Sequence, residues 1–195
     1  MGGIWEAGVK SVKHHLRRIL NDTTLDFEEM TTLLTQIEAC LNSRPLTPLS
    51  SDPDDMQALT PGHFLIGGPL KALPDPDLTH LKMNRLSRWQ YLQRLTQHFW
   101  KRWSTDYLSK LQQRPRWWSK KENVKIGDLV LIKDDRLPPS SWKLGRIMEV
   151  HPGKDNLVRV VNVRVLDKVD SSQSFSYKTY SRPISKLAIL PFDSD

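Results

Sequence analysis

Glu6 is the acid of this sequence best placed to do chemistry. Lys10, Lys13 and Arg17 follow it at intervals of three or four residues, the spacing that keeps side chains on one face of a helix. A carboxylate beside several cations is able to hold a hard divalent ion while the cations grip phosphate. The same spacing also describes an ordinary surface Glu–Lys pair, worth about 0.2–0.5 kcal/mol, and spacing alone favours that plainer reading. A two-metal phosphoryl-transfer site needs further carboxylates to hold its ions about 3.5–4 Å apart. Asp22, Asp26, Glu28 and Glu29 lie at a helix junction and read as caps. Asp52, Asp54 and Asp55 sit in a proline-rich stretch. None stands out as a second or third ligand.

Other chemistries find less support. His14 and His15 are adjacent, so on a helix they point about 100° apart, and no Cys or His partners stand at zinc-ligand spacing. Cys40 is the only cysteine, which excludes an intramolecular disulfide and fits a reducing, intracellular compartment. The nucleophile elbow G-x-S-x-G is absent, and Gly67-Gly68 belongs to no phosphate loop.

The second constellation is basic and aromatic. Between Arg85 and Lys121 stand Arg88, Arg94, Lys101, Arg102, Lys110, Arg114, Arg116, Lys120 and Lys121, interleaved with Trp89, Trp100, Trp103, Trp117 and Trp118. Such cations neutralise phosphates, and tryptophans are able to stack on the bases of a single strand. The periodicity favours Phe99 and Trp103 packing inward, with the cations left for phosphate. The charge distribution isolates this block. The net charge of +7 divides into −4 over residues 1–60 (5 basic, 9 acidic), +9 over 61–121 (12 and 3) and +2 over 122–195 (12 and 10). A positive block in the middle of a chain is the footprint of a polyanion binder.

These residues need elements to position them. Trp5, Val9, Val12, Leu16 and Ile19 recur at helical spacing and predict a helix over 4–20. Asp26 and Glu29 have the spacing of a capping box ahead of the stripe Phe27, Met30, Leu33, Leu34, Ile37 and Leu41, which predicts a helix over 26–42 ended by Arg44-Pro45. Seven prolines within 45–81 predict irregular chain with one short helical turn near Thr60–Leu65. Leu92, Leu95, Phe99, Trp103, Tyr107 and Leu111 predict a long helix over 86–113. From Val124 the period shortens, and five strand-like segments separated by turn residues predict a small barrel. Along it Lys133, Arg136, Lys143, Arg146, Arg159 and Arg164 alternate with apolar residues, as on a polar outer face. Trp142, Tyr177 and Tyr180 are candidates for an aromatic cage that would read a histone tail.

The 195 residues suffice for one domain or two small ones. Hydrophobic residues make up 38%, below the usual 45–50% or so, so no large core is shared by the whole chain. There is no apolar run long enough for a transmembrane helix, no secretory signal and no myristoylation motif.

In order, the pieces are a helix with G-G-I-W-E-A-G-V-K-S-V-K-H-H-L, a second helix ending L-N-S-R-P-L, the motif L-T-P-G-H-F-L-I-G-G-P-L, a long helix, and K-I-G-D-L-V-L-I-K-D-D followed by W-K-L-G-R-I. This order resembles the C-terminal half of the integrases of Pao/BEL-type LTR retrotransposons, over nearly the whole chain. The resemblance implies an α+β chain in three parts. Residues 1–48 would be the last helices of an RNase H-like catalytic core, 49–121 a Pro-rich connector with a basic linking helix, and 122–195 an SH3-like barrel. It implies that Glu6 is the third carboxylate of a D,D-E site for Mg²⁺ or Mn²⁺. It also implies that Lys10, Lys13 and Arg17 face DNA, joined by Arg94, Lys101, Arg102, Lys110, Arg114, Lys133, Lys143 and Arg146. The first two aspartates of that site and the zinc-binding domain would lie upstream of residue 1. The chain as given is therefore expected to bind no metal tightly and to lack strand-transfer activity. Its two N-terminal helices, without the core sheet, are expected to pack loosely or to associate with other integrase chains. The expected function is a nucleic-acid-binding part of an integrase with nuclear DNA as partner. The alternatives are an active polynucleotidyl transferase, if the upstream core is supplied, and a chromatin- or protein-interaction module.

Overall fold

A computed structural model of the chain describes residues 3–20, 23–50, 52–71, 75–82, 85–112, 123–168 and 175–191. The architecture is α+β, with a helical N-terminal part and a five-stranded antiparallel sheet. Two compact units share the chain in interleaved pieces. The first comprises 1–44, 62–106 and 136–141, and the second comprises 45–61, 107–135 and 142–195. The expected boundaries at 48 and 121 follow the order of the sequence, whereas these units are assembled from segments far apart in it.

The first unit is built on three helices, α1 (Gly3–Leu20), α2 (Phe27–Asn42) and the portion up to Asp106 of α4 (Arg88–Leu111). α2 begins at the expected capping box: Glu29 N donates to Asp26 Oδ1 at 2.8 Å, and Asp26 N donates back to Glu29 Oε2 at 3.1 Å. Its inward face carries Leu33, Ile37 and Cys40, all fully buried. α4 contributes Tyr91, Leu92, Leu95, Phe99, Trp100 and Trp103 to the core, each large side chain stabilising by about 1.5–3 kcal/mol when removed from water. Thr96 of α4 donates its hydroxyl to the Gln36 amide oxygen of α2, and Arg88 makes a fork to the Glu29 carboxylate, with both N···O distances 2.5 Å. α4 is therefore part of the first unit's core and not merely a connector. The Thr96–Gln36 and Arg88–Glu29 contacts tie it to α2. α1 is less covered: Val12, Leu16 and Ile19 are half-buried, and Val9 is exposed. The short helical turn expected near Thr60–Leu65 is α3 (Pro61–Ile66), which displays Phe64, Leu65 and Ile66 to solvent.

The second unit holds the sheet of β3 (Leu129–Ile132), β4 (Lys143–Pro152), β5 (Val158–Lys168), β6 (Phe175–Pro183) and β7 (Leu187–Ile189). The order is β6-β5-β4-β3-β7, with every pair antiparallel. A barrel was expected. The described strands instead form an open sheet, because β7 spans three residues and pairs with β3, leaving β6 and β7 at opposite edges. Both faces are covered. One carries Val130, Ile132, Ile147, Val161, Val163, Val165 and Leu187. The other carries Leu129, Leu131, Ala188 and Leu190, packed with Leu108 of α4 and with Ala58 of β2 (Ala58–Leu59). β2 pairs in a two-residue ladder with β1 (Thr47–Pro48). Gly145, in the W-K-L-G-R-I motif, is required by close approach: a Cβ there would lie 2.5 Å from Val163 Cγ1 and 2.9 Å from the Arg164 carbonyl. Gly127, in K-I-G-D-L-V, has φ +92°, a turn conformation open chiefly to glycine.

Candidate nucleic-acid interface

In the first unit α1 presents Glu6, Lys10, Lys13, His14 and Arg17 along an open cavity of about 420 Å³. All five are exposed, as the helical spacing requires. Among the described residues no three His, Cys, Asp or Glu side chains gather in a way that would hold a metal ion, and the side chains sharing this groove with Glu6 are mostly cations. This donor set does not fit a divalent ion by itself.

α4 sorts its residues by chemistry. Phe99, Trp100 and Trp103 are buried, with Phe99 stacked on Trp103 at a centroid distance of 6.3 Å. Lys101, Arg102 and Lys110 stand in water. Arg94 is half-buried: its Nε donates to His98 Nε2 at 3.3 Å, and its Nη1 is buried without an acceptor. Burial, then the guanidinium of Arg94 and the charges of Arg102 and Lys101, hold His98 below its ordinary value, with Asp77 opposing. Trp89 is exposed. Arg114, Trp117 and Trp118 lie outside the described residues.

His15, weighed in the sequence only as a zinc ligand, has a different place in the structure. It is 3% exposed, meets Phe99 edge-on at 5.8 Å, and sets Nε2 3.3 Å from Asp106 Oδ2. Its Nδ1 is buried without a partner. Burial pushes its pKa below 6.5. Asp106 opposes this, while His14, Arg18 and Arg102 add to it. A histidine with a depressed folded pKa favours the native state when neutral, so its contribution is complete above 6.5 and is lost as pH falls through the folded value. The first unit is expected to lose stability as pH falls below about 6.5, with His15 and His98 both contributing. His15→Gln should flatten that dependence when urea midpoints are compared at several pH values. A His15→Gln profile as steep as the wild type would remove His15 from this role.

The cations of the sheet are mostly engaged by their own unit. Arg146, expected to contact nucleic acid, is instead 4% exposed. Its Nε donates to the Asp55 carbonyl at 3.0 Å, Nη1 to Gly127 O at 2.8 Å and Nη2 to Ser50 O at 3.0 Å. The reason is that the face on which it alternates is covered by the segment before β2. Lys143 pairs with Asp167 at 3.1 Å and lies 5.3 Å from the Tyr180 ring centroid. Arg159 pairs with Asp155, whose carboxyl it holds down to about 2. Arg164 pairs with Asp54. Lys133 is half-buried. The candidate aromatic cage does not assemble. Arg164 covers Tyr177 at 4.9 Å, Lys143 and Arg182 flank Tyr180, and Trp142 stands edge-on to Tyr107 at 5.6 Å.

No helix of the described residues is long and apolar enough to cross a membrane. No curated protein and no solved structure matches the chain. A family model does match, over residues 87–190, from the start of α4 through β7. That span is more than half of the sequence, and the chain belongs to DUF5641, a family of unknown function.

Proposed function

We propose that this chain is a DNA-binding part of a retrotransposon integrase that holds duplex DNA through its phosphates. The observation that carries the reading is the sorting along α4: Trp100 and Trp103 are buried while Lys101, Arg102 and Lys110 remain in water. Buried tryptophans are not available to stack on bases, so the helix offers charge without a single-strand platform. Phosphate contacts of this kind position a protein on DNA and carry little sequence readout. The exposed cations of α1, Lys10, Lys13 and Arg17, are a second set of the same chemistry. In this reading Glu6 serves as a metal ligand only where further carboxylates are supplied. The sheet is the SH3-like part: β3 to β6 run as a meander, and a 3₁₀ turn, Ile184–Lys186, returns β7 beside β3. That order supports an SH3-like ancestry. DNA as partner implies a nuclear site of action.

The test is binding of the purified chain to a labelled duplex across a salt series, read by fluorescence anisotropy. The slope of log affinity against log salt is expected to be steep, with about 0.9 for each neutralised phosphate. Replacing Lys101 and Arg102 together by Glu should reduce that slope by about 2 and leave the unfolding midpoint unchanged. Binding that is insensitive to salt, or unaffected by this double replacement, would overturn the assignment of α4.

A further inference from the structure

On the sheet face that carries Arg146 and Arg164, residues 50 and 53–55 meet both arginines, Arg146 through carbonyls and Arg164 through one carboxylate and one carbonyl. Arg164 Nη2 donates to Asp54 Oδ1 at 2.5 Å and to the Pro53 carbonyl at 2.7 Å. Its guanidinium lies over Tyr177, whose hydroxyl donates to the Asp54 carbonyl at 3.4 Å. On the neighbouring strand Arg146 holds the Ser50 and Asp55 carbonyls. The loop is ordered from within: Asp54 N donates to Asp52 Oδ1 at 2.9 Å, and Gln57 N donates to Asp55 Oδ1 at 2.8 Å. The Asp52 and Asp55 carboxylates are thus turned to the loop's own N–H groups, and Asp54 is the residue of the three that sets its carboxylate on a sheet arginine.

Two features make the Asp54 contact one that a stronger anion displaces. The Asp54 side chain is 72% exposed, so water and salt screen the pair. Arg164 reaches the carboxylate through Nη2, while its Nε–H is buried without an acceptor. A phosphate forms strong charge-assisted hydrogen bonds to a guanidinium, so it is able to take the Nη2 donor in place of the Asp54 side chain. Arg146 keeps its carbonyls in either case. The exchange is therefore of one carboxylate for one phosphate and does not require the segment to detach.

We infer that the face around Arg164 and Tyr177 is a phosphate-binding surface for the nucleic-acid partner, and that the chain's own Asp54 occupies it in competition with that partner. The inference rests on the DNA-binding reading above. Asp54→Asn in the full chain frees Arg164, and Asp135→Asn, an exposed carboxylate of the same unit, removes equal charge elsewhere. With a labelled duplex across a salt series, Asp54→Asn is expected to bind about eightfold tighter at 0.1 M salt, with a slope steeper by about 0.9. Asp135→Asn should leave the slope unchanged. Arg164→Gln should have little effect alone and should abolish the gain in the Asp54→Asn background. Asp54→Ala serves as the second variant if Asn disturbs the loop, with the unfolding midpoint as the check on folding. Equal effects of Asp54→Asn and Asp135→Asn, or an Arg164→Gln loss of the same size in both backgrounds, would overturn the inference while leaving the DNA reading intact. Failure of both the wild type and Asp54→Asn to bind at low salt overturns the two together.

Discussion

Replacing Arg146 by Leu should lower the stability of the second unit by about 3 kcal/mol. The charged guanidinium satisfies three carbonyls, those of Ser50, Asp55 and Gly127, at 2.8–3.0 Å from a position 4% exposed. A hydrogen bond from a charged donor contributes about 1.5–3 kcal/mol, and an acceptor stranded away from water costs about 1–3 kcal/mol. The three do not add in full, since Ser50, Asp55 and Gly127 are only half-buried and their carbonyls are partly rehydrated. Leucine also recovers part of the hydrophobic packing of the side-chain stem. Arg146→Lys should recover little, because a single ammonium cannot span three acceptors from two separate stretches of chain in the fork geometry. Chemical denaturation with amide-exchange readout on β3 and β4 measures the loss. A change below about 1 kcal/mol would mean that water replaces the guanidinium at these carbonyls. The contrast with Lys101 and Arg102 is the useful part. Their replacement is expected to cost affinity and not stability, whereas Arg146→Leu is expected to cost stability while leaving the phosphate slope of the folded protein unchanged.

The difference between those arginines marks where sequence reading succeeds and where it stops. Helical periodicity is local, so α1, α2 and α4 are placed within a few residues, and the capping box at Asp26 and Glu29 is legible because both partners lie within one turn. The inward turn of Phe99 and Trp103 follows from the same local period. Arg146 and Arg164 alternate with apolar residues just as solvent-facing residues do. Their burial is decided by residues 50 and 53–55, some ninety to a hundred and ten positions earlier in the chain. Alternation tells which residues share a face, and nothing in it tells which loop comes to cover that face. His15 is hidden for a related reason. The apolar stripe of α1 draws attention to Val9 and Val12, yet among the described side chains of α1 the one buried deepest is the histidine that meets Phe99 and Asp106 on α4. That the described strands leave the sheet open was equally illegible, because a count of strand-like segments does not tell which edges pair.

Phe99→Ala decides whether α4 is structural core or exposed connector. Phe99 is fully buried, stacked on Trp103 and edge-on to His15. A phenylalanine removed from such a site takes its transfer free energy with it and leaves a cavity, a combined loss of about 3–5 kcal/mol. A connector with its aromatics in water would lose less than about 0.5 kcal/mol from the same change. The two expectations are far enough apart for an ordinary urea titration to separate them. Tryptophan fluorescence gives the local signal, since Trp100 and Trp103 flank the position and should shift to longer wavelength as water reaches them. Between its own midpoint and that of the wild type, the variant should also bind DNA more weakly, because Lys101 and Arg102 keep their places only while the opposite side of the same helix is buried. If Phe99→Ala melts like the wild type and binds DNA as well, α4 is a solvated helix after all, and its buried tryptophans no longer argue for phosphate contact over base stacking.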